Sequence, residues 1–518
     1  MGNVMTVNSR MARLTPLTAA LLAAGVAQAA SLSAPIPAAW QPGDHGAVAA
    51  LFRALDEVAA RRPARMAHVA ATLPVSTCAD NGTAGTLRSA LAAAGEGDTI
   101  DLGGLHCSTI TLTQGAIPVL PDDLTIIGPG SEALAIDGAG VDRVFVHYGY
   151  GTLDVRDLAV RNGVTRVTGY HVTGGACIIS NGYVRIERAS VSGCLSEGEG
   201  AYGGGITARS VYLYSSTLSG NTALGSHPGT FTAAYGGGAM AYRGVAYVYR
   251  STLTGNRATF HAGDTHGSYD TGGGVFSDQG GYAYGSTFAG NYSFGTGGGI
   301  ATHGPFAIAQ STFSGNTAMT KGGGAIFVRT FTPMRIDNST MTGNVAAKGG
   351  GVYLTGARKG VSMTSSIVAG NRAGSGADFA AVVALTAMYV GGSNNLVQDV
   401  DANVILPADT LDVDPQLMPL GDYGGPTRTH ALRIGSPALG AGSNPNAYPH
   451  DQRGAGFPRS IGGSTDIGAF QGAVAAAAAV PAPALSTWVL GLLAGLLGFT
   501  GWRGRRRIGI PSRISHRR

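Results

Sequence analysis

Charged and aromatic side chains are both scarce in this sequence. Only 13% of the 518 residues are Asp, Glu, Lys or Arg and 7% are aromatic, whereas 44% are hydrophobic. That balance excludes a chain too polar to bury a core. Helical patterning is nearly missing as well: the 83 Gly, about twice the usual share, argue for many turns rather than long helices. A net positive charge is absent from the body of the chain. Two basic residues lie in the first 29 positions (Arg10, Arg13) and seven Arg in residues 503–518, with no Asp or Glu in either stretch. Setting them aside leaves 26 basic against 30 acidic residues, so the body is no basic nucleic-acid binder and no nucleic-acid partner is expected. Metal-ligand spacing is also missing from the four Cys, and no Lys-Ser/Thr follows any Gly triplet. No metal, cofactor or phosphate cradle is expected.

The two ends read as targeting segments. Arg10 and Arg13 precede an apolar run to Val26 and then Ala27-Gln28-Ala29, the small-x-small form of a signal peptide over residues 1–29. At the other end Trp488 to Trp502 is uncharged and Arg503, Arg505, Arg506 and Arg507 follow. With Ser486 and Thr487 it reaches the lower limit for a transmembrane helix with a cytoplasmic C-terminus. An exported, envelope-anchored chain is expected. In that oxidising setting the four Cys predict two disulfides, Cys78 with Cys107 and Cys177 with Cys194.

Residues 30–76 are Ala-rich, with an amphipathic helix predicted over residues 48–62. A second short helix is predicted at residues 86–94, with Thr86 as N-cap, placed to close the open end of a stack of strands. From there a repeat dominates. STLSGN, STLTGN, STFAGN, STFSGN and STMTGN recur with Asn at 221, 256, 291, 316 and 344, and a further Gly-Asn ends at 371. The spacings are 35, 35, 25, 28 and 27, and Gly-Gly-Gly begins at 203, 236, 272, 297, 322 and 349. A period near 25 with elastic insertions, β-type runs and no helix pattern predicts an all-β parallel β-helix of roughly a dozen coils. It is expected over residues 77–375, with a less regular end at 376–471 and an Ala/Pro linker at 472–485.

Alignment on the Asn gives two apolar columns, Leu218, Leu253, Phe288, Phe313, Met341 and Val368, then Leu213, Val248, Ala283, Ile308, Ile336 and Met363. Thr or Ser flanks the first column, as alternation with one buried face requires. Asn221, Asn256, Asn291, Asn316, Asn344 and Asn371 are expected to turn the corner in left-handed conformation and to bond their amides one coil apart. In STLTGN, therefore, Leu253 should point inward and the motif itself should be scaffold.

These repeats resemble the right-handed, single-stranded parallel β-helix of pectin-lyase-like and polymorphic outer-membrane-type proteins. The flanks resemble a bacterial surface family with a choice-of-anchor C-terminal module, through CADNGTAGTLRSALAAAGEGDTIDL at 78–102, LTIIGPG at 124–130, Asp414-Pro415, YGGPTRTHALRIGSPALGAG at 423–442, Asp451-Gln452-Arg453-Gly454 and DIGAFQ at 466–471. The tail, with Pro483, Leu485, Ser486 and Trp488, resembles the IPTL-type sorting signals of Gram-negative bacteria; Ala482 and Ala484 stand where that motif has Ile and Thr. The resemblance implies a cell-envelope location, a sorting or processing enzyme as partner, and a transmembrane anchor at residues 486–518.

Three arrays could carry chemistry. Tyr212, Tyr214, Tyr247, Tyr249, Tyr282 and Tyr284 fall on outward positions of three adjacent coils, as a binding patch for sugar rings or a protein or as cross-strand packing. The stretch RATFHAGDTHGSYDT at 257–271 carries His261, Asp264, His266 and Asp270 on a long insertion. The outward Thr-x-Thr/Ser ranks form a third array. Paired outward carboxylates are missing, Asp122-Asp123 being the only Asp pair, and no Gly-His-Gly occurs. The expected function is therefore non-catalytic adhesion, display or recognition of a surface polymer, with polysaccharide or another surface protein as partner and no catalytic residue assigned. The alternative is a polysaccharide lyase or glycoside hydrolase using the loop His and Asp residues.

Overall fold

The computed structural model describes residues 34–35, 68–167, 171–226, 233–260, 271–329, 333–356, 361–382 and 387–475. Within them the period-two runs become short parallel strands stacked into a right-handed β-solenoid of about ten turns. One coil runs Ile206–Ala208, Ser210–Tyr214, Thr217–Ser219 and Thr222–Gly225. Each of these strands pairs in register with its counterpart one coil on, Leu213 opposite Val248 and Leu218 opposite Leu253. Repetition builds sheets of 10, 12, 11 and 7 strands respectively. The twelve-stranded sheet begins with Thr72–Pro74, five residues ahead of the expected start. Both predicted apolar columns are buried throughout and join one cluster along the axis. Phe288 and Phe313, consecutive in their column, stack at 4.5 Å with rings 1° apart.

The predicted cap helix is present as Leu87–Ala93, with the Thr86 hydroxyl accepting from the Ser89 N–H at 3.2 Å. Leu87 and Leu91 are buried in the cluster that holds Ile100 and Ile110, so the helix covers the end of the stack. Arg88, buried beside them, grips Asp80 with two bonds of 2.7 and 3.0 Å. Burial opposes ionisation of Asp80, but the Arg88 hydrogen bond and charge, with the Thr113 and Gln114 N–H groups, outweigh it and hold the carboxyl below its usual 3.8. A depressed carboxyl stabilises above the unfolded value, and that contribution is lost as pH falls through the native one. At the other end Asp378 is raised, by burial first, against hydrogen bonds from Asn371, Asp399 and Gln398; its cost is relieved as pH falls. Acid should therefore loosen the helical cap before the last coils. Hydrogen exchange between about pH 5 and about pH 2 should show residues 87–93 losing protection first; equal loss at both ends would contradict this.

Both predicted disulfides form, with Cα separations of 6.5 Å for Cys78–Cys107 and 5.7 Å for Cys177–Cys194. The corners differ from expectation. The Asn side chains do bond amide to amide: Nδ2 of Asn221, Asn256, Asn291, Asn316 and Asn344 each donates to Oδ1 of the next, at 2.8 to 3.0 Å. Each also donates to a carbonyl of the inward column, as Asn256 does to Leu218 O at 2.9 Å. The left-handed residue, however, is the Gly before each Asn. Gly255 has φ +64° with open space around a would-be Cβ, so backbone sterics alone select it. A second left-handed residue precedes the Ser of each motif, for example Ser215, Arg250 and Gln310 at φ 48° to 52°. That Ser starts a second internal ladder, each Ser N–H donating to the next Ser Oγ, from Ser216 through Ser251, Ser286, Ser311 and Ser339 to Ser366 at 3.1 to 3.2 Å. The Gly triplets also serve close approach: a Cβ on Gly273 would lie 2.6 Å from the Tyr292 backbone. In the fifth triplet the equivalent residues are Gly323-Gly324-Ala325, one later than the sequence count, because Ile300 pairs with Ile326.

The long insertions are not simple loops. Their stems pair as strands, Thr222–Gly225 with Arg257–Phe260, and Gly200–Tyr202 with Ala233–Tyr235. The C-terminal stretch also departs from a mere end-piece. After Leu396–Val397 the chain returns over the outer face of the eleven-stranded sheet, where Gln452 Nε2 donates to Thr287 Oγ1 at 3.0 Å and the Ala469 N–H to Thr340 Oγ1 at 3.0 Å. Thr287, Thr312 and Thr340 are thereby buried while Thr217 and Thr252 stay half-exposed, so the Thr ranks form no open flat face. Arg459 locks this return. It is fully buried and donates to the Gly468 and Asp466 carbonyls at 2.8 and 2.9 Å and to Gln310 Oε1 at 3.2 Å.

Candidate functional site

The outer face of the twelve-stranded sheet follows directly from its register. Because successive coils align residue on residue, outward positions form rows across the strands. One row reads Thr125, Asp154, Arg185, Tyr212, Tyr247, Tyr282, Ala307, Arg335. The next reads Ile127, Arg156, Glu187, Tyr214, Tyr249, Tyr284, Ala309, Asp337. All six predicted tyrosines are thus brought together. Tyr212 stacks on Tyr247 at 5.3 Å and 9°, and Tyr249 on Tyr284 at 5.4 Å and 8°. Tyr247 and Tyr249 are the most open, at 39% and 37% exposure.

Two tyrosines that the repeat pattern missed extend the array. Tyr183 meets Tyr212 edge-on at 6.3 Å, and Tyr448, from the returning C-terminal stretch, lies 5.9 Å from Tyr284. Tyr448 also donates to Asp337 Oδ2 at 3.2 Å, which Asn446 Nδ2 reaches at 3.1 Å. Burial raises the Asp337 carboxyl against the attraction of Arg335. Burial, with Tyr284 and Asp337 nearby, pushes the Tyr282 phenol up to about 12, and burial raises Tyr212, Tyr284 and Tyr448 as well. At neutral pH these rings are therefore uncharged, with hydroxyl groups able to donate.

At the N-terminal side of the aromatic rows the face sinks into a cleft of about 490 Å³, lined by Asp123, Thr125, Thr152, Asp154, Tyr183, Arg185, Tyr212 and Tyr214. Arg156 Nε donates to Asp154 Oδ2 at 3.0 Å, Arg185 Nη2 donates to Glu187 Oε2 at 2.6 Å, and the Arg185 guanidinium sits 4.9 Å from the Tyr214 ring centre. Neither Asp154 nor Arg185 was a candidate from the sequence. The Gly-Asn marker is lost in both of their coils, because Gly163 stands in the Asn column after Asp154 and Cys194 after Arg185, the Cys194 N–H donating to Asn221 Oδ1 at 3.1 Å. Pairing of outward positions upstream of Cys194 was the signal that would have found them.

The loop candidates His261, Asp264, His266 and Asp270 lie outside the described residues, as do the predicted helix at 48–62, the signal segment and the sorting residues Pro483, Leu485, Ser486 and Trp488. Among the described residues no group of three or more His, Cys, Asp or Glu is placed to hold a metal ion, and no helix is long and apolar enough to cross a membrane. The fold and face define the class as a right-handed parallel β-solenoid carrying an aromatic stripe. No family model, curated protein or solved structure matches the chain.

Proposed function

We propose that this is an exported, envelope-anchored β-helix protein that recognises a surface polymer without transforming it, through the tyrosine rows. The reading rests on one observation above all: neutral rings stacked on neighbouring coils, with Tyr247 and Tyr249 open to solvent at the middle of the stripe. Flat rings with hydroxyl tips suit the apolar faces and polar edges of sugars, or an aromatic anchor on another surface protein. The likeness of the flanks to choice-of-anchor surface proteins, and of the tail to IPTL-type sorting signals with their processing enzyme, supports the cell-envelope location and the membrane anchor.

The test is a glycan array run together with reducing-end and unsaturated-uronate assays. Tyr247→Ala/Tyr249→Ala should abolish binding with no product formed by either protein, while the melting temperature moves little, since cross-strand pairs contribute about 0.2–1 kcal/mol. Retained binding with lowered stability would reduce the stripe to strand packing. Turnover that His266→Ala abolishes would establish the carbohydrate-active alternative instead.

A further inference from the structure

The cleft beside the tyrosine rows contains an unusual pair of groups. Asp154 is 7% exposed, and its Oδ1 is buried with no hydrogen-bond partner, although Oδ2 is held by Arg156. One coil on, Arg185 Nε is also buried and unpartnered, while its Nη2 is held by Glu187 and its Nη1 lies 3.8 Å from Asp154 Oδ2. A buried acceptor and a buried donor left open on adjacent strands are costly unless something completes them. Asp123, across the cleft, is already engaged by the Thr152 N–H at 2.7 Å.

We propose that this cleft is the end subsite of the polymer groove and takes an uncharged sugar unit, whose hydroxyls donate to Asp154 Oδ1 and accept from Arg185 Nε. The inference rests on the polymer-binding reading above and names its ligand class. Only a group that both donates and accepts completes both atoms, and a hydroxyl does so. A carboxylate could satisfy Arg185 but has nothing to donate to Asp154; an ammonium could satisfy Asp154 but has nothing to accept with. The charges around the site decide in the same direction. The charged groups that line the cleft are Asp123 and Asp154 against Arg185, an excess of one negative charge that repels uronates. Tyr212 and Tyr214 continue the floor into the aromatic rows, so a chain entering the cleft runs onto the stripe.

Titration calorimetry on the full chain with neutral hexasaccharides (cellohexaose and mannohexaose), chitosan hexasaccharide and hexagalacturonate tests this. A neutral hexasaccharide should bind about tenfold or more tighter than either charged one, and Asp154→Asn should weaken it about tenfold, since hydrogen bonds to ionised groups are the stronger class. Arg185→Met should weaken it similarly and carries the test if the melting temperature shows that Asp154→Asn is misfolded. Hexagalacturonate or the chitosan oligomer as the tightest ligand overturns the inference. So does wild-type affinity in both cleft variants while Tyr247→Ala/Tyr249→Ala loses binding, an outcome that leaves the tyrosine reading standing. No binding by any of the oligosaccharides overturns both.

Discussion

Asn291→Ala should destabilise the solenoid more than any surface change, by about 1–3 kcal/mol, the cost of one buried group left unpaired. The side chain is buried at the centre of its ladder. It donates to Leu253 O at 2.9 Å and Asn316 Oδ1 at 2.9 Å, and accepts from the Asn256 backbone N–H at 3.1 Å and Asn256 Nδ2 at 2.9 Å. Truncation strips the Leu253 carbonyl and the Asn256 N–H of these partners, whereas Asn256 Nδ2 keeps Leu218 O and Asn316 Oδ1 keeps the Asn291 N–H. One orphan, the Asn256 N–H, sets the magnitude, since the Leu253 carbonyl keeps its strand-ladder bond to the paired coil. Asn291→Asp should be no milder at neutral pH, because a carboxylate cannot donate to Asn316 Oδ1 and brings charge into an apolar column. Denaturant melts followed by circular dichroism measure it. A midpoint unchanged for both variants would falsify the ladder as a source of stability.

Arg459→Leu should release the returning C-terminal stretch while the coils persist. Three carbonyls, of Asp466, Gly468 and Phe470, lose a buried donor at 2.9, 2.8 and 3.3 Å, at a cost of at least about 3 kcal/mol. A leucine, shorter than arginine, fills only part of the volume and replaces none of those bonds. Because that stretch supplies Tyr448 to the stripe and Gln452 to the outer threonines, limited proteolysis should cut first within residues 423–474. The Gly468 and Ala469 amides, which donate to Ser365 O and Thr340 Oγ1 on the coils, should gain exchange at the same time. Simultaneous cleavage throughout the solenoid would show instead that the stretch and the coils unfold as one unit.

Local rules account for what the sequence revealed. The inward columns, the cap helix, the Cys pairs and the grouping of six tyrosines follow from period-two alternation, a capping residue and a repeat count, each confined to a few neighbouring residues. The corner chemistry was half visible. Asn was assigned both the amide ladder and the left-handed backbone, but the two tasks are divided between Asn256 and Gly255, because an inward-pointing Asn needs its neighbour to make the turn. The Ser of STLTGN was given no role from the sequence, yet Ser251 is buried and carries a second ladder. Long-range features stayed hidden for a different reason. Nothing near Thr312 announces that Gln452, 140 residues later, will bond to it, and nothing near Asp154 or Arg185 marks their coils once Gly163 and Cys194 stand in place of Asn.

The Asn column has two distinct terminators. Cys194 opens it, covalently tied to Cys177, and Asn371 closes it by donating to the Asp378 carboxylate at 2.8 Å in place of a further amide. Between these stops every rung offers the same donor and acceptor to the rung on either side. Length is therefore a modular quantity in this molecule: a whole period could be added or removed between Asn221 and Asn256, on the N-terminal side of the Thr287, Thr312 and Thr340 coils that the returning stretch spans, without disturbing either terminator, since stacking energy depends only on nearest neighbours. The reach of the tyrosine stripe can then change by duplication of coils, one strand spacing at a time, while the ends of the protein stay the same.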